Sequence, residues 1–182
     1  MSKKTLFLDR DGVINRQIIG GYVTCVDEFE FLPGVLEALT FLSEQFDYIF
    51  VVTNQQGVGK GVFSVEQLNE IHSFMTAKIN ERGGRIDKIY FCTDLENSNS
   101  KYRKPNTGMG LQAINDFQDI DLVSAVMVGD SLLDMHFGKN LGVKTGFLTN
   151  SKPVNEEILN IADLIFVNLL DFSAQLSKLS FL

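Results

Sequence analysis

A short apolar run close to the N-terminus, residues 6–8, ends in two acidic residues and a glycine. The run is too short for a helix and is typical of a strand that is buried on both faces of a sheet. Because side chains alternate along an extended chain, Asp9 and Asp11 are predicted to share one side of the strand while Arg10 points to the other. Two buried carboxylates in such a position need a cation or a shared proton. An ordinary turn is the alternative, because Asp and Gly are also common turn residues.

A hard divalent cation suits this pair of carboxylates. Mg²⁺ commonly takes one or two carboxylates and leaves its other positions to water and phosphate. A calcium-binding loop is excluded, because its pattern requires an acid or amide at the fifth place and glycine at the sixth, where this chain has Val13 and Ile14. The sequence therefore favours magnesium at the end of the first strand.

Length, charge and cysteine content limit the class of protein. The 182 residues suit one domain over residues 1–182, and 16 basic against 23 acidic residues argue against a nucleic-acid-binding surface. No stretch has the pattern of a signal peptide or of a membrane span, so we expect a cytoplasmic, monomeric protein that binds neither nucleic acid nor membrane. Cys25 and Cys92 are isolated, which signals neither a disulfide framework nor a zinc site.

Segments with the apolar pattern of strands alternate with amphipathic helical segments along the chain. Further strands are predicted over residues 46–53, 86–92, 123–128, 143–148 and 164–167. Helices are predicted from residue 35, from the capping-box pattern at 64–67, over 109–118, 131–141 and 155–161, and at the C-terminus. The segment 16–32 looks like an irregular insertion, and 93–107 like a polar loop. This alternation predicts an α/β fold with a mainly parallel sheet and helices on both faces.

Ligands of such sheets bind at the carboxyl ends of the strands, where this chain places its polar residues. The predicted set comprises Asp9, Asp11, Thr53, Asn54, Gln55, Arg103, Lys104 and Asp130. Acids, cations and a hydroxyl are what phosphoryl chemistry on a metal requires. Asp134 remains open between a carboxylate of the metal site and an acid at a helix start. His72 and His136 lie on predicted helices and are assigned no catalytic role.

Two glycine-rich stretches imitate phosphate-binding loops without fitting them. Residues 57–61 lack the leading glycine of a P-loop and the hydroxyl residue that should follow Lys60. Residues 108–113 match the dinucleotide pattern, but a polar loop rather than a strand precedes them. We therefore expect residue 108 to begin an ordinary helix.

Four motifs, in this order, resemble those of the haloacid dehalogenase superfamily of phosphatases. They are Asp9-x-Asp11-Gly12, Thr53-Asn54-Gln55, Arg103-Lys104-Pro105 and Val128-Gly129-Asp130. Gly21-Tyr22-Val23 and residues 29–35 also resemble the small phosphatases of heptose bisphosphate and histidinol phosphate, and the heptose enzymes are the more similar of the two. The resemblance implies a Rossmann-like fold with a minimal cap, in which residues 16–32 form a flap.

The resemblance also implies a role for each motif residue. Asp9 would attack phosphorus and Asp11 would transfer protons, while Mg²⁺ would be held by Asp9, the Asp11 carbonyl and Asp130. Thr53 and Lys104 would bind the phosphoryl oxygens. The implied substrate contacts are Gly12, Asn54, Gln55 and Arg103.

The implied partner is a small phosphorylated metabolite. D-glycero-D-manno-heptose 1,7-bisphosphate, losing its 7-phosphate, is the first expectation and histidinol phosphate the alternative; a phosphate-binding module without turnover is the alternative from another class. Residues 93–107 correspond to the zinc loop of this family but lack its Cys and His ligands, so no zinc is predicted. Ser131 and Lys60 also depart from the family pattern, which has Lys and Arg at these places.

Overall fold

The computed structural model describes residues 3–176, and all its strands belong to one parallel sheet. The order is β3-β2-β1-β4-β5-β6, with β1 and β4 at the centre. The strands are β1 (Lys3–Leu8), β2 (Tyr48–Asn54), β3 (Lys88–Cys92), β4 (Ile120–Gly129), β5 (Lys144–Leu148) and β6 (Leu164–Phe166). The predicted parallel α/β fold is confirmed.

Seven helices accompany these strands in the described residues. They are α1 (Val35–Gln45), α2 (Gln56–Gly59), α3 (Val65–Glu81), α4 (Gly108–Asp116), α5 (Leu132–Leu141), α6 (Glu156–Ile161) and α7 (Leu169–Gln175). The predicted capping box at the start of α3 is present, because the Ser64 hydroxyl accepts from the Gln67 N–H and the Gln67 side chain accepts from the Ser64 N–H. Gly108 begins α4, as predicted. The one-turn helix α2 was not predicted.

Alternate side chains of the central strands enter two different cores. Leu6 and Leu8 pack with apolar residues of α1, α3 and α7, whereas Phe7 packs with those of α4 and α5. All three strand residues are completely buried. This division explains why the central strands are apolar at every position, since both of their faces are covered by helices.

The segment 16–32 contains only a short 3-10 helix, Val26–Glu28, and is fixed at both of its ends. Main-chain hydrogen bonds join Arg16 to Glu30 and Leu32 to Ile14, and Val23 and Phe29 are buried against the core. Ile19 near the tip of the segment is 83% exposed. The insertion is therefore an anchored flap beside the end of β1.

No helix within residues 3–176 is long and apolar enough to span a bilayer.

Candidate active site

The polar residues that follow β1, β2 and β4 meet at the carboxyl edge of the sheet, as predicted. They line a cavity of about 560 Å³ together with the loop before α4 and the tip of the flap. Of the predicted site residues, the cavity is lined by Asp9, Asp11, Thr53, Asn54, Gln55, Arg103, Lys104 and Asp130. The topology alone accounts for this convergence, because parallel strands deliver their C-terminal residues to one edge.

Three carboxylates form an acidic cluster at the base of this cavity. Asp9, Asp130 and Asp134 each place an oxygen within 4.8 Å of the other two. Burial and the charges of Asp134 and Asp9 raise the pKa of Asp130 to about 8. Burial also raises the pKa of Asp9, although the charge of Lys104 opposes this shift. The cluster thus holds more negative charge than its surroundings stabilise, and a cation would relieve it.

Lys104 supplies the positive charge that lies closest to this cluster. Its Nζ contacts Asp134 Oδ1 at 2.6 Å and Asp9 Oδ1 at 2.9 Å, and it donates to the Val52 carbonyl at 2.8 Å. Burial alone would lower the pKa of Lys104, but the charges of Asp134 and Asp9 outweigh burial and raise it. The ammonium therefore stays charged in a position where the side chain is only 2% exposed.

Asn54 holds the main chain of Lys104 in place. Its Oδ1 accepts from the Lys104 N–H at 3.0 Å, and its Nδ2 donates to the Lys104 carbonyl at 3.1 Å. Both polar atoms of the side chain are thus engaged by the main chain of one residue. Asn54 therefore positions Lys104 and also lines the cavity, and its predicted contact with substrate stays a prediction.

Asp134 lies both at the start of α5 and in the acidic cluster, so its position is compatible with both roles that the sequence left open. Its Oδ2 accepts from the N–H and the hydroxyl of Ser131 and so caps the start of α5, while its Oδ1 pairs with Lys104. The side chain is completely buried. Its oxygens are thereby committed to the helix start and to Lys104, although it also belongs to the acidic cluster.

Asp11 lies at the cavity, but its carboxylate lies outside the acidic cluster. Arg10 NH2 donates to both carboxylate oxygens at 2.9 Å, Asn15 donates at 2.9 Å and Gln55 at 2.8 Å. Burial alone would raise the pKa of Asp11, but the charge of Arg10 and these hydrogen bonds outweigh it and lower the pKa. The expectation that Arg10 points away is wrong, because β1 ends at Leu8 and strand alternation does not extend to residues 9–11.

Thr53 and Gln55 continue this network from the end of β2. The Gln55 side chain donates to the Thr53 hydroxyl at 2.9 Å as well as to Asp11. Thr53 and Gln55 are 1% and 2% exposed, so little of either side chain reaches solvent. Gln55 therefore joins the predicted phosphate-binding hydroxyl to the predicted proton-transfer group.

Gly12 has a conformational role in the segment after β1, and its predicted contact with substrate stays a prediction. Its φ is +87°, and a Cβ at this position would lie 2.0 Å from Asp130 Oδ2, so only glycine fits. Its N–H donates to the Asn15 carbonyl, and its own carbonyl accepts from Asn150 Nδ2 at 2.8 Å. Gly12 is not among the residues that line the cavity.

Arg103 lies at the cavity rim, where its NH1 donates to the Asp94 carbonyl at 3.4 Å. Across the rim, Lys60 donates to the Tyr22 hydroxyl at 3.0 Å, and Tyr22 packs against Phe63. Two cationic side chains thus border the region above the acidic cluster. This placement suits an anionic group on the substrate in addition to the phosphate over Asp9.

Ser100 organises the loop 93–107, where the resemblance would place zinc ligands. Its hydroxyl accepts from the Tyr102 and Arg103 N–H groups and lies 3.7 Å from Cys92 Sγ. Cys92 is buried and ends β3, as predicted. The expectation that the protein binds no zinc stays a prediction.

Three supporting residues were missed in the sequence. Arg10 contacts Asp11, His72 contacts Arg10, and Asn150 contacts Gly12. The last two contacts join residues that lie 62 and 138 positions apart in the sequence. No local pattern in the sequence signals such contacts. Arg10 could have been suspected only from its place between the two aspartates.

Comparison with known proteins places this site in a family. The family model described as polynucleotide kinase 3 phosphatase matches residues 6–155. The chain belongs to this family of phosphatases, within the haloacid dehalogenase superfamily, and the predicted resemblance is confirmed.

Its relatives include named sugar phosphatases. D-glycero-beta-D-manno-heptose-1,7-bisphosphate 7-phosphatase of Haemophilus ducreyi is 38% identical over 179 residues, which cover 94% of this chain and 97% of that protein. The corresponding alpha-anomer enzyme of Mycobacterium tuberculosis is 36% identical over 92% of this chain and 88% of that protein. The crystal structure of D,D-heptose 1,7-bisphosphate phosphatase from B. bronchiseptica, complexed with magnesium and phosphate, matches with a TM-score of 0.84 and 29% identity over 96% of this chain and 98% of that chain.

Proposed function

We propose that this phosphatase removes the 7-phosphate of D-glycero-D-manno-heptose 1,7-bisphosphate through an aspartyl phosphate on Asp9. The observation that carries the chemistry is the position of Asp9, at the end of the central strand with Lys104 at 2.9 Å and two further carboxylates within 4.8 Å. The choice of substrate rests on the relatives named for that reaction. Because these relatives include enzymes for both anomers, the preferred anomer is left to the experiment.

The reaction divides into two transfers of the phosphoryl group. In the first, a carboxylate oxygen of Asp9 attacks phosphorus, the bond to the sugar oxygen breaks, and Asp11 gives that oxygen a proton. In the second, ionised Asp11 takes a proton from water as the water oxygen attacks phosphorus, which releases phosphate and restores Asp9. The contacts that lower the pKa of Asp11 favour the form needed in the second transfer. The negative charge of the bound substrate would favour the protonated form needed in the first.

Magnesium fits the donor set of the acidic cluster. Asp9 and Asp130 offer hard oxygen ligands in a site where burial and the charges of neighbouring carboxylates raise the pKa of both groups. Together with the Asp11 carbonyl they are the residues that would hold the ion. When bound, Mg²⁺ would offset charge on the phosphoryl oxygens.

The remaining site residues bind and orient the substrate. Lys104 is fixed by Asp134, the Val52 carbonyl and Asn54, so its ammonium can stabilise the phosphoryl group with little reorganisation. The Thr53 hydroxyl lies at the same strand end. Arg103 and Lys60 at the rim are the cations that would contact the second phosphate, and Arg103 can do so in a bidentate manner.

A panel of substrates tests this proposal. We expect magnesium-dependent phosphate release from heptose 1,7-bisphosphate to exceed that from histidinol phosphate and from a 3′-phosphorylated oligonucleotide. Asp9→Asn is the inactive control. Asp116→Asn makes the same chemical change away from the cavity, where Asp116 pairs with Lys88 at the start of β3, and should stay active. Faster release from histidinol phosphate would support the alternative substrate. Lack of turnover on the whole panel would support a phosphate-binding module instead.

Location in the cytoplasm and the monomeric state stay predictions.

A further inference from the structure

His72 is a buried residue of α3 that the proposed reaction does not use. It is 6% exposed, and its ring packs against Phe91 with centroids 5.6 Å apart. Its Nε2 lies 3.2 Å from Arg10 NH1. Since a guanidinium can only donate, Nε2 must be the acceptor and the ring is neutral, with its proton on Nδ1. Burial and the charge of Arg10 agree with this state, because they lower the pKa of His72 to about 3.

Arg10 connects His72 to the proposed proton-transfer group. The guanidinium is 1% exposed, and its NH2 contacts both carboxylate oxygens of Asp11. Its Nε has no hydrogen-bond partner within residues 3–176. Because a second buried donor without a partner would be costly, the contact of NH1 with His72 and those of NH2 with Asp11 together orient this guanidinium.

We propose that His72 is a positioning residue for proton transfer: through Arg10 it holds the Asp11 carboxylate at the angle from which it protonates the leaving oxygen. This inference rests on the proposed function. Without the acceptor at residue 72, Arg10 NH1 turns toward another oxygen and carries the contact with Asp11 along with it. The nucleophile Asp9 and the cation Lys104 have no contact with His72 among those described, and they stay in place.

The dependence of rate on the leaving group separates positioning from a merely structural role. A nitrophenolate leaves from phosphorus with little help from an acid, whereas the alkoxide of a sugar or of glycerol needs the proton. Misplacement of Asp11 therefore slows an alkyl phosphate more than an aryl phosphate. General loss of folded protein slows both substrates equally.

Two variants at residue 72 make the comparison specific. His72→Leu removes the acceptor and keeps a side chain of similar bulk, while His72→Gln keeps an acceptor near the place of Nε2. Met75→Leu is the matched control, because Met75 is completely buried on the same helix and packs into the core. If His72→Leu does not fold, His72→Asn, whose shorter side chain withdraws the acceptor, takes its place.

The experiment measures kcat/KM with magnesium for p-nitrophenyl phosphate and for glycerol 2-phosphate. For His72→Leu we expect a loss on the order of tenfold or more on the alkyl phosphate and at most about threefold on the aryl phosphate, a part of the effect typical of an acid catalyst. His72→Gln should recover most of the loss, and Met75→Leu should change both substrates alike. Equal losses on both substrates for His72→Leu, or no recovery in His72→Gln, would overturn this inference while leaving the phosphatase assignment intact. A wild-type protein that releases phosphate neither from these two substrates nor from heptose 1,7-bisphosphate would remove the proposed function, and this inference with it.

Discussion

The ammonium of Lys104 lies between two carboxylates, 2.9 Å from Asp9 and 2.6 Å from Asp134. Lys104→Met should lower the free energy of unfolding of the metal-free protein by about 3–5 kcal/mol, because two buried carboxylates lose their counter-charge. The double variant Lys104→Met/Asp134→Asn should recover part of that loss, since one of the two charges is gone, but should stay inactive. Urea unfolding in EDTA and hydrolysis of p-nitrophenyl phosphate measure the two effects. Equal stability of the single and double variants would contradict the assigned charge balance.

Arg103 tests which group of the substrate the rim contacts. Arg103→Lys should raise KM for heptose 1,7-bisphosphate much more than it lowers the rate on p-nitrophenyl phosphate, because lysine cannot reproduce a bidentate contact with a second phosphate. Steady-state kinetics on the two substrates provide the measurement, with Lys101→Arg on the same loop as control. Equal losses on both substrates would instead place Arg103 at the transferred phosphate beside Lys104.

The loop after β5 supports residues 9–12, which follow β1 and carry Asp9 and Asp11. Asn150 has a φ of +47° and donates to the Gly12 carbonyl, while its own N–H donates to the Val167 carbonyl at the end of β6. Asn is one of the few residues that adopts this left-handed conformation readily. One residue therefore ties the loop after β5 to the segment that carries Asp11.

Asn150→Gly keeps this backbone conformation and removes the donor. We expect kcat/KM to fall by a few-fold and up to about tenfold, the equivalent of one net hydrogen bond, and the magnesium concentration for half-maximal activity to rise, because Gly12 lies against Asp130. Ser151→Gly is the matched control, since Ser151 also has a positive φ but its side chain has no described contact with Gly12. A magnesium titration that is unchanged in Asn150→Gly would remove the bracing role.

The sequence predicts the elements well and the supporting contacts poorly. Apolar runs and the capping box at Ser64 are local signals, so the strands and most helices follow from them; parallel topology then brings Asp9, Thr53, Lys104 and Asp130 together. The contacts of Arg10 with His72 and of Gly12 with Asn150 depend on packing between distant segments, which no local pattern encodes. For the same reason the contacts of Asn54 with Lys104 and of Gly12 with Asn150 were not predicted, whereas the contacts of Asn54 and Gly12 with substrate stay predictions.

In the whole molecule, the acidic cluster that is proposed to bind magnesium lowers the stability of the metal-free protein when its carboxylates are ionised. The pKa of Asp130 is about 8 in the folded protein against an ordinary value of 3.8, so the folded state binds more protons between these values. The contribution of Asp130 to the free energy of unfolding of the metal-free protein therefore falls as pH rises from about 4 to about 8. Magnesium should reverse this loss, because it binds only the folded cluster.

Asp130→Asn removes the ionisation and a proposed ligand together. At pH 8 in EDTA we expect this variant to melt about 2–4 °C above the wild type, the shift that about 1 kcal/mol of stabilisation gives for a chain of this size. The difference should shrink toward pH 4, and the rise in Tm that magnesium gives the wild type should be lost. Asp116→Asn, which loses a surface ion pair with Lys88, should show no gain. A metal-free Asp130→Asn protein that melts below the wild type at pH 8 would contradict the charge excess in the cluster.

The proposed reaction requires Asp9 to carry the phosphoryl group during turnover. Acid quenching of the enzyme with substrate, followed by peptide mass mapping, tests it most directly. We expect one phosphate on the peptide that contains Asp9, none in Asp9→Asn, and a larger steady-state fraction in Asp11→Asn, because hydrolysis of the intermediate needs a base. Phosphate on another residue, or labelled Asp9→Asn protein, would contradict the account.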